Sequence, residues 1–184
     1  MIRQAKLEDA SQVVALIISA IHDLTIPFTG EHDEDAAAKI LTAYYCTPGN
    51  RFSSELVTVE EMDGQIAGMI LCYYGKDMTE LYSPIETLLQ QRLQKTVALE
   101  PEADADEYYI DAIAVHPSYQ GRGIASRLME YSQQKAIADG VHKVGLNVDF
   151  DNTTAQEVYQ RKGYTADKQI TLHHKPFWHM VKHV

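Results

Sequence analysis

Between Tyr108 and Ala138 the chain passes from a strand pattern through a glycine turn into an amphipathic helix, and this unit limits the fold more than any other stretch. Residues 108–115 are rich in aromatic and β-branched side chains, as strands are, and Pro117 ends the run. Ile124 to Ile137 repeats apolar residues at helical spacing and closes at Asp139-Gly140. Between them lies Gln120-Gly121-Arg122-Gly123-Ile124-Ala125-Ser126. Glycines there let the backbone come close to a ligand, and the first amides of a helix are free donors with a partial positive charge, so the turn suits a pyrophosphate. Tight packing of helix on strand is the other reading of the same glycines. The turn lacks the Lys-Ser/Thr ending of a P-loop and the full GxGxxG of a dinucleotide fold, which argues against a nucleotide triphosphatase.

The remaining pattern places this unit inside one α/β domain covering residues 1–184. A short strand at Ile2–Ala5 precedes a helix in which Val13, Leu16, Ile17 and Ala20 share a face. Pro27 and Gly30 interrupt, and the acidic turn Glu31–Asp35 leads into a second helix that ends near Thr47-Pro48-Gly49. Leu56–Val59, the turn Asp63-Gly64 and Ile66–Tyr74 read as a β-hairpin. Strand signals then stop. About 76–106 reads as a partly helical insertion, with helix over Pro84–Ala98 and an acidic loop over Glu100–Glu107. Further on come a strand at Val144–Val148, a helix at Asn152–Lys162 stopped by Gly163, and strands at Tyr164–Thr171 and Phe177–Lys182.

A net charge of -10 argues against nucleic acid or an anionic membrane as partner, because both need a cationic surface. The charge is unevenly spread. Residues 1–115 hold 7 Lys/Arg against 20 Asp/Glu, whereas 116–184 hold 9 against 6. Arg122 and Arg127 therefore sit in the half that can host an anion. No uninterrupted run of about 18 apolar residues and no N-terminal h-region is seen, so a cytoplasmic protein without membrane partners is expected. Cys46 and Cys72 lack a CxxC partner and read as core thiols. His173, His174, His179 and His183 gather near the C-terminus on segments that read as strands, without HExxH or a cysteine partner, and no metal is expected.

The segment Gln120–Ala125 resembles motif A of the GNAT superfamily, the acetyl-CoA-dependent N-acetyltransferases, whose Q/R-x-x-G-x-G/A signature is met by Gln120, Gly123 and Ala125. The following block from Leu146 to Tyr164 is similar too, with Asn152, Ala155, Tyr159, Gly163 and Tyr164 at the family's spacing. The resemblance covers most of the chain but not residues 76–106. It implies a mixed, mostly antiparallel central sheet with helices on both faces, acetyl-CoA as co-substrate, and a small-molecule or peptide amine as acceptor. It leaves room for a homodimer.

The resemblance also implies roles. Backbone groups of Ile113, Ala114 and Val115 would pair with the pantetheine arm, and the turn from Gln120 through Gly121, Arg122, Gly123, Ile124 and Ala125 to Ser126 would hold the pyrophosphate. Asn152 would bind the cofactor arm, or serve as a helix cap, or both. Tyr159 would be the general acid that reprotonates the leaving thiolate, or an aromatic plug under its helix. A lysine-like amine is neutral in roughly one molecule in 2,500 at pH 7, a cost near 4.6 kcal/mol, so a proton acceptor helps. Asp111 is the candidate, since alternation puts it on the face of Tyr109, where some relatives carry a Glu or paired His; a merely solvated acid is the other reading. The acidic runs Glu31–Asp35 and Glu102–Glu107 would attract a cationic amine, or form a solvated face. Because the relatives' Glu is missing, a non-catalytic acyl-CoA-binding or regulatory module stands as the alternative.

Overall fold

The computed structural model describes all residues from Met1 to Val184. Seven strands form one sheet in the order β1-β2-β3-β4-β5-β7-β6. They are β1 (Ile2–Gln4), β2 (Val57–Met62), β3 (Gln65–Tyr74), β4 (Tyr108–Val115), β5 (Lys143–Asp149), β6 (Thr165–Leu172) and β7 (Lys175–His183). All neighbours are antiparallel except β4 and β5. The helices are α1 (Ala10–Ile21), α2 (Thr25–Thr29), α3 (Glu34–Cys46), α4 (Met78–Leu93), α5 (Ile124–Ala138) and α6 (Thr153–Arg161).

Alternation along β3 sorts the core into two layers. Met69 and Leu71 face a cluster with α1, α3 and α4, whereas Ile70 and Cys72 face a cluster with α5. The β2–β3 turn uses Asp63 (φ 52°) and Gly64 (φ 75°), the left-handed pair that a tight hairpin demands. Leu7–Thr29 has a mean hydropathy of 1.5 and the length to cross a membrane. In the fold this run breaks at His22 (φ 45°), and α1 packs Val13, Val14, Leu16, Ile17 and Ile21 into the first core layer.

Element order matches the sequence reading, with three differences. The insertion's helix runs from Met78 to Leu93, not from Pro84 to Ala98, so Pro84 lies inside α4. A one-turn helix, α2, fills the break at Pro27. His173 and His174 are not strand residues but the two left-handed positions of the β6–β7 turn.

Two irregularities of β4 shape the site. The strand is paired with β3 along its whole length, yet it meets β5 only at Tyr108, Tyr109 and Ile110. Beyond them the two strands part, leaving the edge of Asp111–Val115 open on the β5 side. The register to β3 also skips a residue, since Leu71 faces Ala112 and Cys72 faces Ile110. Asp111 is the extra residue of this bulge, so Tyr109, Asp111 and Ala112 all lie toward the first core layer.

Candidate active site

Where β4 and β5 diverge, a cleft of about 940 Å³ opens. Its walls include Ile110–Ile113 of β4, Leu146–Asp149 of β5, the cap Asn152 with Ala155 and Tyr159 of α6, and Ile21–Leu24 at the end of α1. Ala114, Val115 and the Gln120–Ser126 turn are not part of this wall. They continue from the same strand edge toward the start of α5.

The turn has the properties that an anion requires. Gly121 (φ 75°) and Gly123 (φ 74°) are left-handed, and a side chain placed at Gly121 would meet nothing within 4 Å. The amides from Gly121 to Ser126 donate to no protein acceptor; Arg127, bonded to the Gly123 carbonyl at 3.1 Å, is the first that does. Arg122 stays over the Tyr119 ring, 5.2 Å from its centroid. Arg127 lies against the turn, donating to the Arg122 carbonyl at 2.8 Å, but its guanidinium is also 2.7 Å from Glu60, so it is neutralised and contributes less cationic character than the sequence suggested. Lys162, which the sequence reading passed over, places Nζ 2.6 Å from Ser126 Oγ. A cation held at a helix N-terminus is unfavourable on its own and becomes favourable with an anion between them. Open amides, an unpaired strand edge and this ammonium together fit the phosphates and amide arm of coenzyme A.

Asn152 caps α6, accepting from the Ala155 amide at 3.1 Å, and it also lines the cleft. The helix-cap reading of it holds. Tyr159 lines the cleft as well and packs edge-on against Tyr164, with ring centroids 6.1 Å apart. Burial raises its phenol above the ordinary value, and no protein hydrogen bond engages it. It therefore remains a phenol, with a hydroxyl free to donate.

Asp111 reaches the cleft wall, but it is not alone there. Both of its oxygens accept from Arg51, at 2.7 and 2.8 Å, and its side chain is 1% exposed. The same guanidinium binds Glu102 at 2.7 and 3.2 Å. Arg51 is fully buried beneath Phe28 and Tyr82, its guanidinium carbon 4.2 and 4.8 Å from their ring centroids. One cation thus serves two carboxylates, and the buried group carries an excess negative charge. Burial first, and then Glu102, push the Asp111 carboxyl up against the opposing pull of Arg51.

The sequence reading did not connect Arg51 with the site, and it placed Glu102 only in an acidic run. Of that run, Glu102 alone reaches the cleft. Asp104, Asp106 and Glu107 surround Lys143 at 3.0, 3.0 and 3.5 Å. Asp104, Glu107 and His179 do come together in a grouping that resembles a metal-ligand set, and the ammonium of Lys143 stands beside both acids. In the other run, Glu31 pairs with Arg92 and Asp33 caps α3. Most of these acids are therefore engaged within the fold.

A cleft between splayed central strands, an open strand edge and a free-amide turn at a helix start define an enzyme that takes an acyl group from coenzyme A. Residues 18–164 match the Acetyltransferase (GNAT) family, and the chain belongs to that family. It is an acetyl-CoA-dependent acetyltransferase, which favours the catalytic reading over the binding module that the sequence left open. An N-acetyltransferase from Staphylococcus aureus Mu50 is similar at 29% identity over 99% of this chain and 100% of its own, with a TM-score of 0.85. A second acetyltransferase structure is 28% identical over 100% and 99% of the two chains, TM-score 0.82. The fold is also shared, at 14% identity over 100% and 98% of the chains and a TM-score of 0.59, by the PaiA N-acetyltransferase of Thermoplasma acidophilum, whose structure is a complex with coenzyme A.

Proposed function

We propose that the protein acetylates a cationic primary amine bound in the cleft between β4 and β5. The observation that carries the reading is the sign of the walls. The carboxylates of Asp23, Glu102, Asp111, Asp149 and Asp151 outnumber the cations of Arg51 and Lys175. An ammonium entering this cleft meets an attractive field, and an anionic acceptor is repelled.

Acetyl-CoA supplies an acetyl group activated as a thioester. Amides of Gly121–Ser126, with Lys162, hold the phosphates; the edge of Ile113–Val115 and Asn152 take the amide arm. The Asp111 and Glu102 carboxylates, sharing one guanidinium, receive the proton that the ammonium must lose before its nitrogen can attack. As the new C–N bond forms and the C–S bond breaks, Tyr159 gives its hydroxyl proton to the departing sulfur, and the proton that the nitrogen sheds on becoming an amide returns to the phenolate. An ordinary phenol is close to an alkyl thiolate in basicity, and burial moves Tyr159 to the weaker-acid side of that match.

Thiol release measured over a panel of amines tests this. Diamines and polyamines should turn over faster than neutral or anionic amines of equal size, and the advantage should shrink as salt rises. Tyr159→Phe should lower kcat by about 10²-fold or more while coenzyme A binding, read by calorimetry, holds. Equal rates for cationic and anionic amines would remove the proposed acceptor class.

A further inference from the structure

The Glu102 carboxylate is held by a chain of hydrogen bonds that starts well behind the cleft. Asn147 on β5 has its Nδ2 2.8 Å from the Glu102 carbonyl oxygen and 2.9 Å from the Tyr109 hydroxyl. Its Oδ1 lies 2.8 Å from His179 Nδ1. A carbonyl oxygen only accepts, so both hydrogens of the amide nitrogen are committed, and Oδ1 takes its hydrogen from the imidazole. Flipping the amide would set Oδ1 against the Glu102 carbonyl. Since Tyr109 accepts from Asn147, its own hydroxyl hydrogen goes to Glu102 Oε2, 3.2 Å away. Every bond in the chain thereby has one direction, from His179 through Asn147 and Tyr109 to Glu102.

We propose that His179, which does not line the cleft, is a positioning residue that keeps the Glu102 carboxylate aimed into it. Its own setting supports the task. His179 and Glu107 are each 1% exposed, and Nε2 is 3.1 Å from Glu107 Oε2 with one hydrogen between them. The Asp104 amide donates to Glu107 Oε1 at 3.0 Å, and Lys143 stands 3.5 Å from Oε2. Asp104 also faces Nε2 at 3.8 Å while bound to Lys143 and Lys168. Glu107 fits because residue 145 is glycine; a Cβ there would lie 2.3 Å from its carboxylate. The imidazole is thus pinned on the Nε2 side and presents Nδ1–H to Asn147. A side-chain amide does not pass protons onward, so the chain orients Glu102 and does not drain its proton.

This rests on the reading that Glu102 meets the amine, and the experiment separates the two. His179→Leu and Tyr109→Phe should each lower kcat/KM for the amine about tenfold, and the double variant should fall no further than either, because both cut one chain. Affinity for coenzyme A should be unchanged. His179→Asn, whose amide replaces the Nδ1 donor, should recover most of the loss. Multiplying effects, an equal loss of coenzyme A binding, or no recovery in His179→Asn would overturn the proposal. Nitrogen-15 spectra of the wild-type imidazoles need no variant to fold: a hydrogen on His179 Nδ1 supports the chain, and a ring protonated at Nε2 alone overturns it. A wild-type enzyme that binds coenzyme A and acetylates no amine would refute the proposed acceptor, while the spectrum still decides the chain.

Discussion

Arg51 is a test of what a buried charge is worth. Its guanidinium holds two carboxylates and lies among the Phe28, Phe52 and Tyr82 rings. Arg51→Met leaves Asp111 and Glu102 buried and unpaired, and should cost about 3–5 kcal/mol in urea unfolding at neutral pH. Asp111→Asn keeps a carbonyl toward Arg51 and brings the group to electrical balance, so its cost should be much smaller. The pH dependence follows from the raised Asp111 carboxyl. A folded state that binds its proton more tightly is stabilised below the ordinary value of 3.8 and loses that contribution as pH rises through the higher folded value. Asp111→Asn should remove this loss, seen as a flatter profile of unfolding free energy above pH 4. Asn152 and Tyr159 stood out in the sequence because they sit at fixed spacing in one short stretch, the cap and the body of α6. Arg51, Glu102 and Asp111 were not connected, because nothing local marks an arginine whose partners lie 51 and 60 residues away.

At the scale of elements, the insertion is the informative part. Its return strand of chain is tied to the sheet by Asp104, which bridges Lys143 on β5 and Lys168 on β6. Those two ammonium groups hold the Asp104 carboxyl down to about 2, hydrogen bonds from Lys168 contributing most. A depressed carboxyl stabilises the fold above its ordinary value and loses this as pH falls through the folded one. Protection of the 100–107 loop and β6 in hydrogen exchange should therefore weaken between about pH 4 and pH 2, and Asp104→Asn should already be weak at pH 5 and flat below it. The sequence placed a helix here but began it at Pro84, where proline suits a first turn. In α4 the proline falls inside the helix, with packing of Tyr82, Ile85 and Leu89 outweighing the missing donor. The bulge at Asp111 likewise had no sequence signal, since one extra residue in a strand looks like any other.

The whole sheet is two antiparallel groups, β1–β4 and β5–β7–β6, joined by the short parallel pairing of β4 with β5. The open edge beyond Ile110 is where a bound arm would complete the ladder. Saturating coenzyme A, at about 100 times its Kd, should raise stability by about 2.7 kcal/mol. Amide exchange at Ile113–Val115 should slow more than the global change accounts for; uniform slowing across the sheet would argue that the arm lies elsewhere. The sheet, its order of elements and the strand–turn–helix unit were legible because these elements follow one another in sequence. The acceptor half was not, for it exists only once distant segments have packed.

That asymmetry has a use. The proposed donor site is written in one continuous stretch plus α6, whereas the proposed acceptor wall borrows Arg51 from a loop, Glu102 from the insertion, and Asp111 and Asn147 from neighbouring strands. Redesign of what the enzyme acts upon can therefore proceed by changing single cleft-facing side chains, while Ile85, Leu89 and Asp104 of the insertion, which pack the core and tie it to β5 and β6, stay in place.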